Sequence, residues 1–307
     1  MKVNPINVDK SMKVSELVDQ FDKSGVLGAG RVSRACNILV DMIEDEDMNV
    51  FMSLGGPLIP GGMRSIVTDM INEGHVDLIV SSGANITHDL VEAFGGAHYR
   101  HEGKDDEELN EEGIGRIADI NVGSDDFTFF ETEIIEIFEK IASKKKSVSI
   151  QELLHDIGLL VEDENSFVAT AARKNIPIFA PGLIDSMMGL QLWIFSQDHD
   201  FVVDAVADMN YLSDIVFESE KVGAILLGGG LTKHYTLASN VIKGGLDAAI
   251  QITMDRPEAG SLGGAPLEEA KSWAKARCGS SLASVVGDVT VIFPLIYAAA
   301  LDKIGRD

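Results

Sequence analysis

Ala224-Ile-Leu-Leu-Gly-Gly-Gly-Leu-Thr-Lys-His-Tyr235 is the stretch on which the fold turns. An apolar run stops at three glycines, and a helical pattern begins at Leu231. A short run without polar alternation suits a strand covered on both faces, and the glycines suit a tight turn into the helix. The same beat recurs along the chain. Residues 50–54 run into Gly55-Gly56, 76–80 into Ser81-Ser82-Gly83, and 176–179 into Ala180-Pro181-Gly182. Beyond the triplet, 248–252 run into Thr253-Met-Asp255 and 282–286 into Gly287-Asp288. Strands alternating with helices at this spacing predict right-handed crossovers and a mostly parallel sheet. The expected fold is α/β and doubly wound, a single domain over residues 1–307. A polar lead-in over 1–27 surrounds a short amphipathic piece at Val14, Leu17, Val18 and Phe21.

Some segments fall outside the beat. Residues 28–43 read as a helix, so Gly28-Ala-Gly30 lacks the preceding strand that a dinucleotide fingerprint requires. Residues 97–127 are charged and glycine-punctuated, and read as an excursion or an oligomer contact rather than part of the sheet. Helices are expected over 131–144 and 149–160, around a solvated Lys-Lys-Lys turn. Composition narrows the function classes. With 49 acidic against 25 basic residues the formal charge is −24. Such a surface repels nucleic acid and attracts cations such as polyamines or basic protein loops, although it also serves plain solubility. No apolar run is long enough to span a membrane and the start is too polar for a secretory signal. Cys36 and Cys278 are the only cysteines, so a reducing, cytoplasmic setting is expected.

In open parallel sheets ligands bind at the carboxyl ends of the strands. Gly228-Gly-Gly230 there allows close backbone approach ahead of a helix N-terminus, which suits phosphates, and Ser82-Gly83 could act alike. Asp185 and Asp288 are expected at strand ends, where they could accept ribose hydroxyls or simply cap helices. His234 could carry protons or be a structural histidine. Met187-Met188 reads as core filler or an apolar pocket wall. His98-Tyr-Arg-His101 has i,i+3 spacing but no further His or Cys ligands nearby, so no metal site is expected.

The remaining chemistry lies in Gly260-Ser-Leu-Gly-Gly-Ala-Pro-Leu-Glu-Glu-Ala-Lys-Ser-Trp-Ala-Lys275. Pro266 suits the first helical position, and Glu268 and Glu269 suit the positive end of the helix dipole. Glu269 and Trp273, four apart, would share a face, with Lys275 reaching them only by its long stem. A buried carboxylate, an indole and a lysine suggest a cation-binding, imine-forming site. The alternative is a surface helix with Trp273 in the core.

Several of these segments together resemble deoxyhypusine synthase of the archaeal type. They are 228–234, Glu268-Glu-Ala-Lys-Ser-Trp-Ala-Lys275 with Asp288 and Phe293-Pro294, Ser82-Gly-Ala-Asn-Ile-Thr-His-Asp89, Pro181-Gly-Leu-Ile-Asp185 and Gly-Leu-Gln-Leu-Trp193. The resemblance covers about residues 12–305. It implies a Rossmann-like NAD-binding fold and a transferase that moves the aminobutyl part of spermidine onto one lysine of a translation factor. By that resemblance Lys275 is the nucleophile, Glu269 holds a substrate ammonium, Trp273 is a cation–π wall and His234 lines the amine tunnel. Gly260 and Ser261 border the amine, and Thr87 and His88 sit where amine and cofactor meet. NAD would lie along Gly56, Pro57, Pro60, Ser82, Gly83, Ala84, Asp185, Gly229, Thr253 and Asp288. The resemblance also implies a homotetramer with sites at a dimer interface. Three departures stand out. Leu190 and Leu262 take the places of two amine-binding carboxylates, Ala274 replaces a glycine, and Gly56, Pro57 and Pro60 replace polar residues. An agmatine-using or homospermidine-forming transferase, or a silent NAD-binding relative, therefore stays open.

Overall fold

The computed structural model describes residues 2–305; Met1, Arg306 and Asp307, at the ends of the expected domain, lie outside the described residues. Two compact units interleave along the sequence. The first comprises the chain up to Gly55, His75–Val80 and the chain from Tyr211 on; the second comprises Gly56–Gly74 and Ser81–Asn210.

In the first unit five strands lie in the order Ala276–Val286, Leu246–Thr253, Lys221–Leu227, Met48–Leu54, Leu78–Ser81. Parallel pairing joins Met48–Leu54 to Lys221–Leu227, with Val50 opposite Gly223, and Leu246–Thr253 to both of its neighbours. The runs expected at 50–54, 224–227, 248–252 and 282–286 become parallel strands that extend beyond their apolar cores, while the run at 76–80 is strand only over Leu78–Ser81 and that at 176–179 only over Ile178–Phe179. In Lys221–Leu227 every residue but the first is buried, so both faces are covered. Helix Leu27–Glu44 packs on Leu246–Thr253 and Ala276–Val286, and Leu231–Ser239 packs on Met48–Leu54 and Lys221–Leu227. Gly30 lies inside the first of these helices, not in a phosphate loop. A Cβ there would come 2.4 Å from the Gly25 carbonyl carbon, so this glycine serves close backbone packing.

The second unit is mainly helical. The expected helix over 131–144 is the longer Ser124–Ala142, which starts within the charged excursion, and that over 149–160 is Ile150–Leu160, capped by Ser149, whose hydroxyl accepts from Glu152 N at 3.1 Å. The excursion forms its own antiparallel sheet in the order His98–Arg100, Ile120–Gly123, Ile114–Ile117. His98 thus sits on a strand rather than at helical spacing with His101. The unit is tied together by Asp89, fully buried, which accepts from Arg64 Nε at 2.7 Å, Ser166 Oγ at 2.6 Å, and the amides of Phe167 and Val168 at 3.2 Å each. Among the described residues no helix is long and apolar enough to cross a membrane.

Candidate active site

The stretch 260–275 lies wholly in the first unit, and its local structure differs from the sequence expectation. Pro266 is extended (φ −59°, ψ 147°) and precedes a 3₁₀ helix, Leu267–Trp273, so it is the cap and not the first helical residue. Ala274 adopts φ +54° and ends the helix. Its N–H donates to Lys271 O at 3.2 Å, while Lys275 N–H donates to Ala270 O at 2.9 Å. These two bonds are the Schellman closure of a helix C-terminus. Lys275 is therefore off the helix, at the entrance to strand Ala276–Val286, and does not need its stem to curl around a helical cylinder. Its Nζ lies 5.6 Å from the centre of the Trp273 ring.

Lys275, Trp273, Glu269, His234, Lys233 and Leu262 line one cavity of about 500 Å³. Leu267 and Ala270, three apart and eclipsed in a three-fold helix, form the buried face. Glu269 is accordingly exposed and not the buried carboxylate expected, and Trp273, 65% exposed, is not a core residue. His234 is half-buried; burial first, then the charge of Lys275, lowers its pKa below the ordinary value, so it is neutral near pH 7. Gly260 and Ser261 line a smaller adjoining hollow of about 190 Å³ that shares Leu262 and Glu269.

Lys233 is a residue the sequence reading passed over. It is 2% exposed, and its Nζ donates to Leu262 O at 3.0 Å and Ala265 O at 2.6 Å. Burial pushes its pKa down to about 8, against the pull of Glu269 and Asp255 and helped by Lys275. A signal did exist. Lys233, Thr236, Leu237 and Asn240 fall at helical spacing on one face, and that face is buried.

The expected cofactor residues are distributed over both units. In the first, Gly229 is packed so closely that a Cβ would lie 2.4 Å from Gly263 Cα, while Gly228 faces Gly55 and Gly230 turns at φ +73°. The close approach is thus made by the protein's own backbone. Thr253 is 7% exposed, and its hydroxyl accepts from Asp255 N at 3.1 Å. Asp288 caps helix Val289–Lys303, accepting from Thr290 N at 2.8 Å and Thr290 Oγ1 at 2.6 Å. In the second unit Gly56 turns at φ +77° and its carbonyl accepts from Asn85 Nδ2 at 2.9 Å. Pro57 and Ala84 are exposed and Pro60 is buried. Ser82 caps helix Gly83–Ala93, and Gly83 lies against Ser186, whose Oγ would be 2.7 Å from a Cβ there. Asp185 does not end a strand: strand Ile178–Phe179 stops earlier, and exposed Asp185 precedes Ser186, the cap of helix Met187–Asp198. Met188 in that helix is fully buried, as filler, while Leu190 is 42% exposed. Thr87 is 2% exposed, donating to Gly83 O at 2.9 Å and accepting from Met188 N at 3.2 Å. His88 is 7% exposed. No group of three or more His, Cys, Asp or Glu among the described residues could hold a metal.

Comparison with known proteins shows the family. A family model described as deoxyhypusine synthase matches residues 16–300. The chain is 58% identical over 304 residues to a probable deoxyhypusine synthase of Methanothermobacter thermautotrophicus, covering 99% of both chains. It is 41% identical to the Methanopyrus kandleri counterpart over 305 residues, again covering 99% of each. A crystal structure of an Entamoeba histolytica protein assigned to the same family shares the fold, with a TM-score of 0.70 at 20% identity over 100% of this chain and 99% of that one. The fold also resembles part of AgrE, solved as a ternary complex with ornithine and NAD⁺. The TM-score there is 0.53 at 12% identity, over 91% of this chain and 34% of that one.

Proposed function

The chain belongs to the deoxyhypusine synthase family, and from that premise we propose that it transfers the 4-aminobutyl group of spermidine to one lysine of a translation factor, with NAD as cofactor and Lys275 as covalent carrier. The observation that carries this reading is the cavity in which Lys275 lies 5.6 Å over the Trp273 ring beside Glu269 and His234. An indole face and a carboxylate suit an alkylammonium, the ring adding about 1–2 kcal/mol once water is excluded. Lys275 attacks the imine carbon of the oxidised butylamine portion and releases the smaller amine, leaving an enzyme imine; the acceptor lysine then adds to that carbon, Lys275 leaves as the free amine, and the acceptor imine is reduced to the product amine. Glu269 holds the ammonium in register. Neutral His234 can take or return a proton at the reacting nitrogen.

Within the first unit, Gly229, Thr253 and Asp288 would hold NAD. A glycine turn at a strand end and an acid at a helix start suit a dinucleotide, with Gly230 at φ +73° turning the chain into the helix. NAD would supply the hydride acceptor for the amine and would return that hydride to the imine formed on the acceptor. Trp273 at 65% and Leu262 at 47% exposure leave an open apolar wall, which favours a homotetramer in which another copy covers it. A second reading, with a different donor or a small-amine acceptor, is favoured by Leu262 itself, since the cavity has a leucine where the family places an acid.

One assay separates them. Spermidine labelled in its butyl portion is incubated with NAD and either the factor or putrescine. The proposal expects label in the factor. Label confined to a small amine overturns it in favour of the second reading.

A further inference from the structure

A second cavity, of about 530 Å³, opens in the first unit between the start of helix Leu27–Glu44, the ends of strands Leu246–Thr253 and Ala276–Val286, and the loop at 255–266. Small-ligand sites usually measure about 300–1,000 Å³. Its floor is polar where these strands are otherwise apolar. In Leu246–Thr253 every residue but Asp247 is buried, yet Gln251 and Thr253, two apart and so on one face, are polar. Ser284 lies opposite Gln251 in the parallel register. Buried polar groups are as a rule fully paired, and these are not. Gln251 is 1% exposed, and its Nε2 donates to Gly263 O at 2.7 Å. That bond fixes the orientation of the amide and leaves Oε1 as a free acceptor lining the cavity. Thr253 Oγ1 accepts from Asp255 N at 3.1 Å, and Ser284 Oγ accepts from Leu267 N at 3.3 Å. Each hydroxyl keeps its own proton to donate, and among the described residues nothing takes it.

The rim is charged. Arg31 and Arg34, three apart on helix Leu27–Glu44, both line the cavity, and neither makes an ion pair or hydrogen bond among the described residues. With 49 acids to 25 bases partners are plentiful, so two neighbouring guanidinium groups left free form a positive spot that a ligand can meet. Their helix begins after Val26, which offers no side-chain cap. Its first amides are therefore open and add the positive end of the helix dipole. On the loop side Asp255 and Glu268 line the cavity, and their carboxylates make no ion pair or hydrogen bond among the described residues either.

We propose that this cavity binds a nucleoside phosphate. Arg31, Arg34 and the open helix start take the phosphates, since a guanidinium pairs with phosphate oxygens two at a time. Asp255 accepts the ribose hydroxyls, and Gln251 Oε1 accepts an exocyclic amine of the base. A bare anion would leave the buried amide and the carboxylates unused, and a cation would meet the arginines. Ala265 and Pro266 line both this cavity and that of Lys275, so one loop borders nucleotide and amine alike. The nucleotide is either the ADP half of NAD or a free ADP. The first source rests on the amine-transfer reading; the phosphate chemistry does not.

The test is isothermal titration calorimetry of the full protein with ADP and with inorganic phosphate. Wild type should bind ADP with a Kd below about 1 mM, and phosphate more weakly. Arg31 and Arg34 are exposed, so the pair Arg31→Ala and Arg34→Ala spares the fold. It should weaken ADP about tenfold or more. The pair Lys2→Ala and Lys10→Ala removes the same charge away from the cavity and should leave ADP within about twofold. No binding of ADP, phosphate as tight as ADP, or equal loss in both pairs overturns the proposal. ADP titrated into NAD-saturated protein separates the two sources. Exclusion of ADP assigns the cavity to the ADP half of the cofactor, and undiminished binding assigns it to the free nucleotide. A protein that binds ADP through Arg31 and Arg34 but neither binds NAD nor transfers the aminobutyl group would sink the functional reading and leave this site standing.

Discussion

Lys233 holds a charge where the fold gives it little solvent. Its ammonium donates to the Leu262 and Ala265 carbonyls, which hold one wall of the Lys275 cavity. With its pKa lowered from 10.5 to about 8, the folded chain binds this proton more weakly than the unfolded chain does. The resulting stability cost is full below pH 8 and is relieved as the pH rises towards 10.5. Lys233→Met removes this titration. The stability of wild type relative to the variant should therefore rise by about 3 kcal/mol between pH 7 and 10.5, read from urea unfolding. A difference that stays flat across that range contradicts the assignment. A strongly shifted lysine beside a cavity is a mark of a working site. The sequence did not reveal this one because a lone lysine in a helix is solvated by default, and only the faces of its neighbours show otherwise.

The 3₁₀ helix Leu267–Trp273 shows where reading by element succeeds and where it stops. Over seven residues a period of 3.0 cannot be told from 3.6, so the acidic first turn and the role of Pro266 as a start signal were legible and the helix type was not. The reversal at Ala274 was hidden for another reason: alanine rarely takes φ +54°, and the residue type announces nothing. The family glycine missing from this position now has a physical meaning, since glycine is the residue that fits the left-handed closing position of a Schellman motif. Ala274→Gly should stabilise the fold by about 1 kcal/mol, seen as a few degrees in Tm, with transfer activity kept within about twofold. A lower Tm would show that the turn is not strained. The parallel strands were more legible, because continuous apolar runs such as 224–227 have no other stable use. The small sheet at residues 97–127 was not, because its strands are three or four residues long and partly exposed.

Across the whole chain, the acidic balance of −24 suits a protein that handles polyamines and a basic acceptor, and it would raise encounter rates with both at low salt. The catalytic reading rests on a smaller feature: four residues recognised in the sequence, Lys275, Trp273, Glu269 and His234, share one cavity although His234 comes from a different strand–helix unit. Their order along the chain was legible through the motifs. Their exposure was not, since burial depends on what covers the cavity and the proposed tetramer supplies that cover. The most direct measurement is reductive trapping: the full protein with NAD and butyl-labelled spermidine, quenched with borohydride and mapped by mass spectrometry. The account predicts a 4-aminobutyl adduct on Lys275 that is absent from Lys275→Ala. An adduct on any other lysine, Lys233 included, would contradict it.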